Sequence, residues 1–357
     1  MRPDFTRELM KWNLNRNTRS MPWKGEKDPY KIWLSEIILQ QTRVEQGKAY
    51  YERFVKAFPT VQQLAKAPEE KVFKLWEGLG YYTRCKNLIA TAAFIAKEKK
   101  GKFPDDYESI LSLKGIGPYT AAAIASFAFN LPYAVIDGNV FRVLSRYFGI
   151  ATPIDSGDGK KLYTLLAQEL LDKHYAGQYN QAIMDLGAVI CKPQQPLCGE
   201  CPQKNDCQAL KHGTIKQLPV KEKQLIKKTR WFYYFIVHIN DTVLVQKRTG
   251  KDIWENLYEY VLHEAEGLLE PGEKNLKSIV KKLLGKQAFQ IKSISAIFRQ
   301  QLTHQTIIGQ FIEIETGTRP PALKNYEAVK KAGIRNYAFP KFITGYIDQK
   351  NKPGHLF

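Results

Sequence analysis

The stretch Leu113–Asn139, LKGIGPYTAAAIASFAFNLPYAVIDGN, decides how the first half of the chain is read. Gly115 and Gly117 bracket Ile116, so the backbone can turn tightly there and approach another surface closely. Pro118 suits the first position of a helix, where its missing N–H would have had no partner. The unpaired amides of such a turn and of the helix it opens form an anion site. Ala121, Ala122, Ala123 and Ala125 make the helix slim enough to pack close to a neighbour. Asp137 follows the apolar run Ala134–Ile136 and precedes Gly138-Asn139. An acid in that position is either a helix cap or a working carboxylate. A phosphate-gripping hairpin with an acid beside it points to chemistry on nucleic acid, and a loop joining two helices is the plainer alternative.

Working outward, the whole chain has 357 residues, enough for two or three domains, and 44% of them are apolar. No run of 18 or more apolar residues exists, which excludes a transmembrane helix as the reading. The charged N-terminus MRPDFTRELMKWNLN lacks the apolar segment of a signal peptide. The chain therefore reads as an intracellular, cytoplasmic soluble protein. Formal net charge is +19, with 19 Tyr, 18 Phe and 6 Trp. That combination favours nucleic acid as the partner, ahead of an anionic membrane.

Residues 1–210 read as helical. Expected helices are 4–15, 29–40 with Asp28 as N-cap and Pro29 at N1, 43–58, 61–66, 69–77, 83–99, 139–148, 158–174 and 176–190. In the second of these, Glu36 lies among Ile32, Trp33, Ile37 and Leu39. Residues 211–229 form a basic linker: from Lys211 to Arg230 there are seven Lys or Arg and one acid. From Arg230 the pattern changes to strands. WFYYFIVHI, an Asn240-Asp241 turn and TVLVQKR predict a hairpin. Residues 254–262, 291–298 and 306–315 are further strands, with helices at 274–284 and 339–349. Residues 230–357 thus form a separate α+β domain.

Four of the five cysteines, Cys191, Cys198, Cys201 and Cys207, fall in a C-x6-C-x2-C-x5-C array. In a cytosolic chain that clustering reads as metal before disulfide. Zinc would serve chemically, although the spacing matches none of the common zinc or ferredoxin patterns. Cys85 stands apart and reads as an ordinary buried thiol.

The array follows a helix in a chain that also carries a helix-hairpin-helix and a downstream Asp. In this it resembles the iron–sulfur loop of the endonuclease III superfamily of DNA glycosylases. The resemblance implies one [4Fe–4S] cluster, held for structural reasons by Cys191, Cys198, Cys201 and Cys207. It also implies a fold in which a six-helix barrel and an iron–sulfur subdomain make up 1–210. Within the superfamily, MPWK (21–24), PYKIWLSEIILQQTRV (29–44), FPTVQQLAKAP (58–68), WEGLGYYTRCKNL (76–88), GKFP (101–104), DGNVFRV (137–143) and NQAIMDLGAVIC (180–191) are similar to the MutY family of adenine glycosylases. The similarity runs in order through 5–210 and persists more weakly in WENLYEY and FRQQLTH.

Cleaving an N-glycosidic bond calls for one acid that protonates the base and one carboxylate that stays charged beside the oxocarbenium-like sugar. An apolar helix face should keep Glu36 protonated. A helix N-terminus beside Asn139 should keep Asp137 ionised. The resemblance makes Glu36 the acid that protonates adenine N7 and later activates water, and gives Asp137 the role of stabilising the sugar cation or forming a transient covalent adduct with it. Bifunctional relatives that cut pyrimidines carry a Schiff-base lysine where this chain has Tyr119. A monofunctional enzyme is implied, with the phenol orienting Asp137 or the sugar; Lys114 nearby leaves weak lyase activity open. The target base must leave the stack. By the same resemblance, Gln41 and Tyr81 wedge into the duplex, Thr42 and Leu79 contact the opposite base, and Gly115 and Gly117 grip the backbone. Arg19, Trp23, Lys24 and Gln181 line the adenine pocket.

The C-terminal domain resembles the Nudix-like domain that recognises 8-oxoguanine. A hydrolytic Nudix helix needs clustered glutamates for magnesium, and the matching EKNLKSIVKKLLGK is basic instead. Thr303 and His304, in FRQQLTH, correspond to the family's recognition loop, with Leu302 replacing its Phe. The expected protein is a monomeric glycosylase acting on double-stranded DNA with A:8-oxoguanine or A:G mispairs. An endonuclease III-like pyrimidine glycosylase/lyase and a non-enzymatic iron–sulfur DNA-binding protein are the rival readings.

Overall fold

The computed structural model describes residues 3–42, 44–222, 227–269, 273–285 and 287–350; Arg43 and the centre of the expected linker, 223–226, lie outside them. The chain divides into two compact units. One joins Met1–Ala67 to Lys86–Gln224, the other Pro68–Cys85 to Leu225–Phe357. The expected boundary at 211–229 leaves out the excursion of 68–85 into the second unit. Residues just before 223 are tied into the first: Ile154 N–H donates to Val220 O at 3.1 Å, and Glu222 N–H to Asp155 Oδ1 at 2.9 Å.

The described part of the first unit is helical throughout. Its elements are α1 (Pro3–Asn15), α2 (Pro29–Leu39), α3 (Val44–Ala57), α4 (Val61–Ala65), α7 (Tyr107–Leu111), α8 (Pro118–Phe129), α9 (Gly138–Phe148), α10 (Gly157–Leu170), α11 (Ala176–Val189) and α12 (Gln208–Lys211), with most of α6 (Tyr82–Glu98). One core joins Phe5, Leu9 and Trp12 of α1 to Val143 and Leu144 of α9, Tyr163 of α10, and Tyr179, Ile183 and Leu186 of α11. Each such side chain contributes roughly 1.5–3 kcal/mol on burial. Thr6 Oγ1 donates to Leu170 O at 2.7 Å, and Gln203 Nε2 to Phe5 O at 2.8 Å, tying α1 to α10 and to the cysteine loop. The expected helix 158–174 stops at Leu170 because Asp172 turns to accept the amides of His174 and Tyr175.

Between α7 and α8 the hairpin is built as its glycines suggest. Gly115 has φ +80°, and a Cβ there would stand 2.7 Å from Asn87 Cβ. Ile116 is buried and its N–H reaches Leu113 O at 3.1 Å. Gly117 is the N-cap of α8 and offers no side chain to its first amides.

In the second unit a mixed sheet has the strand order β3-β2-β1-β7-β5. The strands are β1 (Lys228–Ile239), β2 (Thr242–Lys247), β3 (Tyr258–Glu259), β4 (Val261–Ala265), β5 (Phe289–Ile294), β6 (Phe298–Gln301), β7 (Gln305–Thr316) and β8 (Glu327–Lys330). β4 also pairs with β1, β6 with β7 and β8 with β2. β1 and β7 are parallel, from Lys228 opposite Gln305 to His238 opposite Glu315. Alternation along β1 serves two layers. Tyr233, Phe235 and Val237 face α13 (Glu273–Leu284) through Leu276, Val280 and Leu284. Phe232 and Tyr234 meet Trp254, Phe311 and, from α14 (Lys341–Lys350), Phe342. α5 (Glu69–Trp76) belongs to this unit.

In the second unit three strand and helix limits differ from expectation. The strand expected at 254–262 begins only at Tyr258, because Trp254 and Asn256 have φ of +64° and +70° and form a turn. The strand expected at 291–298 is broken, since Ser295 leaves the ladder and its Oγ accepts from Phe311 N–H. The last helix starts at Lys341, after Pro340, rather than at 339.

Candidate active site

α2 begins where Asp28 accepts the Tyr30 amide at 2.9 Å. Eight residues further on, the helix turns Glu36 inward, 6% exposed. Tyr119, in the first turn of α8, donates its hydroxyl to Glu36 Oε2 at 2.6 Å. The phenol therefore addresses Glu36, not Asp137 as the sequence reading allowed. Burial lifts the Glu36 carboxyl to about 7; the Tyr119 hydrogen bond opposes this and the Asp137 charge adds to it. Burial and the neighbouring carboxylates hold Tyr119 well above its ordinary value, so it stays a donor.

Asp137 is the N-cap of α9. Its Oδ1 accepts the amides of Asn139 and Val140, each at 2.8 Å, and Oδ2 accepts Asn139 Nδ2 at 2.7 Å. Helix cap and cavity carboxylate are thus one residue, not alternatives, because Oδ2 keeps capacity for a further partner. Burial raises the Asp137 pKa above its usual value, against the lowering effect of Val140, Asn139 and Arg142. The helix N-terminus alone does not depress it, as the sequence had suggested.

Behind this pair stands Arg142, which sequence reasoning missed. Its Nη2 donates to Asn139 Oδ1 at 2.8 Å and to Gly187 O at 2.7 Å, and its Nε to Cys191 O at 2.7 Å. Arg146, one turn on, donates to Lys192 O and Pro193 O at 2.8 and 3.1 Å and to Leu218 O at 3.0 Å. Two buried arginines at i, i+4 among apolar residues were the available signal.

Glu36, Tyr119, Asp137 and Asn139 line one cavity of about 560 Å3, together with Arg19, Trp23, Lys24, Gln41, Thr42 and Gln181. Trp23 is buried edge-on against Tyr51, with ring centroids 5.4 Å apart. A second missed residue, Asp185, is fully buried behind Arg19, Lys24 and Gln181, which line the cavity. Its Oδ1 accepts from Arg19 Nη1 at 2.7 Å and Gln181 Nε2 at 2.9 Å. Its Oδ2 accepts from Lys24 Nζ and Asn17 Nδ2, both at 2.9 Å. An acid between Met184 and Leu186 carried the same signal that singled out Glu36.

Other expected residues lie elsewhere. Gly115 and Gly117 are in the hairpin. Tyr81, Leu79, Thr303 and His304 are in the second unit. Tyr81 has φ +49° and is 46% exposed, whereas Tyr82 and Leu79 are buried. Gly78 and Gly80, with φ +87° and +78°, shape that turn. The Tyr81 and Thr303 hydroxyls are hydrogen-bonded to each other, and His304 is exposed at the β6–β7 turn.

Cys191, Cys198, Cys201 and Cys207 surround a small cavity of about 30 Å3 that Arg146 also lines. Burial raises the pKa of Cys201 to about 12 and raises those of Cys198 and Cys207 too, and neighbouring cysteines add to the effect. Holding them together as thiolates would take a cationic centre. Among the described residues no three Cys, His, Asp or Glu side chains are grouped as ligands of a single metal ion. None of the described helices is long and apolar enough to cross a membrane.

Residues 34–167 match the HhH-GPD superfamily of base excision DNA repair proteins, and 232–349 match the NUDIX domain family. The chain is similar to the structure of a thermostable thymine-DNA glycosylase, at 29% identity and a TM-score of 0.54, covering 58% of this chain and 95% of that one. The chain is therefore a helix-hairpin-helix repair protein with a C-terminal Nudix-like domain. The adenine DNA glycosylase of Buchnera aphidicola subsp. Baizongia pistaciae is 36% identical over 71% of this chain and 72% of its own length. That of Rattus norvegicus is 41% identical over 60% of this chain and 44% of its own. Within the class, the chain belongs to the adenine DNA glycosylase (MutY) family.

Proposed function

We propose that the chain removes adenine mispaired with 8-oxoguanine, and less readily with guanine, from duplex DNA, working as a monomeric, monofunctional glycosylase in the cytoplasm at the nucleoid. The observation that carries this is the buried Glu36, hydrogen-bonded to Tyr119 in the cavity that Asp137 also lines. Near pH 7 a large share of Glu36 holds a proton. Glu36 gives that proton to N7 of the flipped adenine. The C1′–N9 bond breaks with its electron pair going to the base. Asp137 stands beside the cationic sugar through Oδ2. Glu36, now a carboxylate, takes a proton from water as the hydroxyl adds to C1′. Tyr119 holds Glu36 in place and has no amine for a Schiff base, so the strand stays intact.

Cys191, Cys198, Cys201 and Cys207 would hold the [4Fe–4S] cluster, which supplies structural anchorage when bound. Four cysteines around one small space, in a spacing that resembles the endonuclease III-type loop and none of the common zinc patterns, support a cluster over zinc. Arg142 and Arg146 brace the same loop through its carbonyls. Gln41 and Thr42 at the cavity, and the exposed Tyr81 beside Thr303, are the residues we assign to the opened duplex; Leu79 and His304 complete that set at the opposite base. Gly115 and Gly117 leave amides for phosphate. The name carried by the curated relatives supports adenine as the base.

The test is base release from duplexes holding A:8-oxoguanine or thymine glycol. Free adenine without nicking is expected from the first, and Glu36→Gln should bind that duplex yet release nothing. Nicking of the second would favour a pyrimidine lyase, and inactivity on both a binding protein.

A further inference from the structure

The adenine reading leaves one buried charge unused. Asp185 takes no part in proton transfer, yet four side-chain donors converge on it. Two of them are cations, Arg19 and Lys24, and Lys24 Nζ is also fixed by Arg19 O at 2.8 Å. An ion-paired carboxylate only accepts hydrogen bonds. The Gln181 amide beside it must therefore present nitrogen, as its 2.9 Å bond shows, and cannot present oxygen. Which way a glutamine amide faces is ordinarily undetermined by shape, since its two ends are alike in size. Here the carboxylate decides it.

One Nε2–H is committed to Asp185. With the hydrogen trans to Oε1 so committed, the edge turned away carries Oε1 as acceptor next to the second Nε2–H as donor. Gln181 lines the cavity. An acceptor beside a donor complements the 6-amino group and adjacent ring nitrogen of adenine. It does not complement a 6-oxo purine, which sets oxygen against oxygen. We propose that Asp185 is a positioning residue that fixes the facing of the Gln181 amide, and so sets the cavity's preference for a 6-amino over a 6-oxo purine. This rests on the adenine reading above.

Asp185→Asn is the direct test. Asparagine offers a donor as well as an acceptor, so Gln181 is free to turn its oxygen inward and its nitrogen toward the base. Single-turnover release would be measured for adenine and for hypoxanthine, each opposite 8-oxoguanine. The adenine-to-hypoxanthine rate ratio should fall by roughly tenfold or more, since one mismatched buried polar contact suffices for that. A purely structural role lowers both rates together and leaves the ratio unchanged, which would overturn the proposal. Because Asp185→Asn leaves two cations without their partner, Gln181→Met serves as the second variant: it removes the amide and keeps the ion pairs. It should lower the ratio similarly, and adding Asp185→Asn to it should change the ratio no further. An unchanged ratio in Gln181→Met, or a further drop in the double variant, would also overturn it. A wild-type chain that releases no adenine defeats the adenine reading and this inference with it. Adenine release with an unmoved ratio defeats this inference alone.

Discussion

Glu36 carries opposing demands. Its carboxyl is raised from 4.5 to about 7 in the folded chain, so folding takes up a proton. Below pH 4.5 the group is neutral folded or unfolded and has no effect on stability. As pH rises from 4.5 through 7 the unfolded chain ionises first, and the folded state loses up to about 3 kcal/mol by pH 8. Glu36→Gln keeps an acceptor for Tyr119 and never ionises. It should raise unfolding free energy by about 2–3 kcal/mol at pH 8 and hardly at all at pH 4.5, read from urea denaturation at the two pH values. An equal effect at both would separate Glu36 from the pH dependence. In the wild type the release rate should fall above about pH 7 as Glu36 ionises. It should fall again in acid as Asp137, itself raised, takes up a proton. The residues of this cavity were legible wherever chemistry forces an unusual setting, as with an acid among Ile, Trp and Leu or an Asp before Gly-Asn. Asp185 obeyed the same rule and was passed over. Tyr119's partner was not legible, because the choice between Glu36 and Asp137 depends on how α2 and α8 meet.

Elements set the cavity by how closely they approach. α11 presses its Gly187 against α9 at Asn139: a Cβ on Gly187 would lie 2.6 Å from Asn139 Cβ and 3.0 Å from Asn139 O. Nothing about φ demands glycine there; the contact does. Gly187→Ala should therefore displace the residue that holds Asp137 and lower adenine release by roughly tenfold or more. Overpacking of this size destabilises by about 1–3 kcal/mol. A variant that is less stable but as active as the parent would show that Asn139 tolerates the shift. Helices were legible from caps and period, as at Asp28-Pro29. β1 was legible from its unbroken apolar run 231–237, and β7 from the β-branched and aromatic residues that recur along it. The turn at 254–257 was not, because WENL runs without a break into the strand-like YEYVL, while Trp254 and Asn256 adopt left-handed backbone. Nor does any local signal say that β1 pairs with β7 in parallel, Lys228 opposite Gln305 and His238 opposite Glu315.

At the scale of the whole molecule, the segment 68–85 folds with residues far downstream. Lys74 Nζ donates to Tyr337 O at 3.0 Å, Phe339 N–H to Glu77 Oε1 at 2.8 Å, and Lys247 pairs with Glu70 at 3.2 Å, besides the Tyr81–Thr303 bond. Removing residues 226–357 should leave iron and acid-labile sulfide bound, since all four cysteines precede the cut. The shortened chain should discriminate 8-oxoguanine from guanine less well, measured as the ratio of adenine release opposite each. Equal discrimination would deny the second unit that role. The excursion of 68–85 also bears on how such genes can recombine. A crossover in the basic segment after residue 210 would give a chimera whose α5 and Tyr81 turn came from one parent and their partners from the other. Exchange between relatives succeeds, on this architecture, only when 68–85 and the C-terminal residues are inherited together, so the two should vary in concert although the sequence sets them far apart.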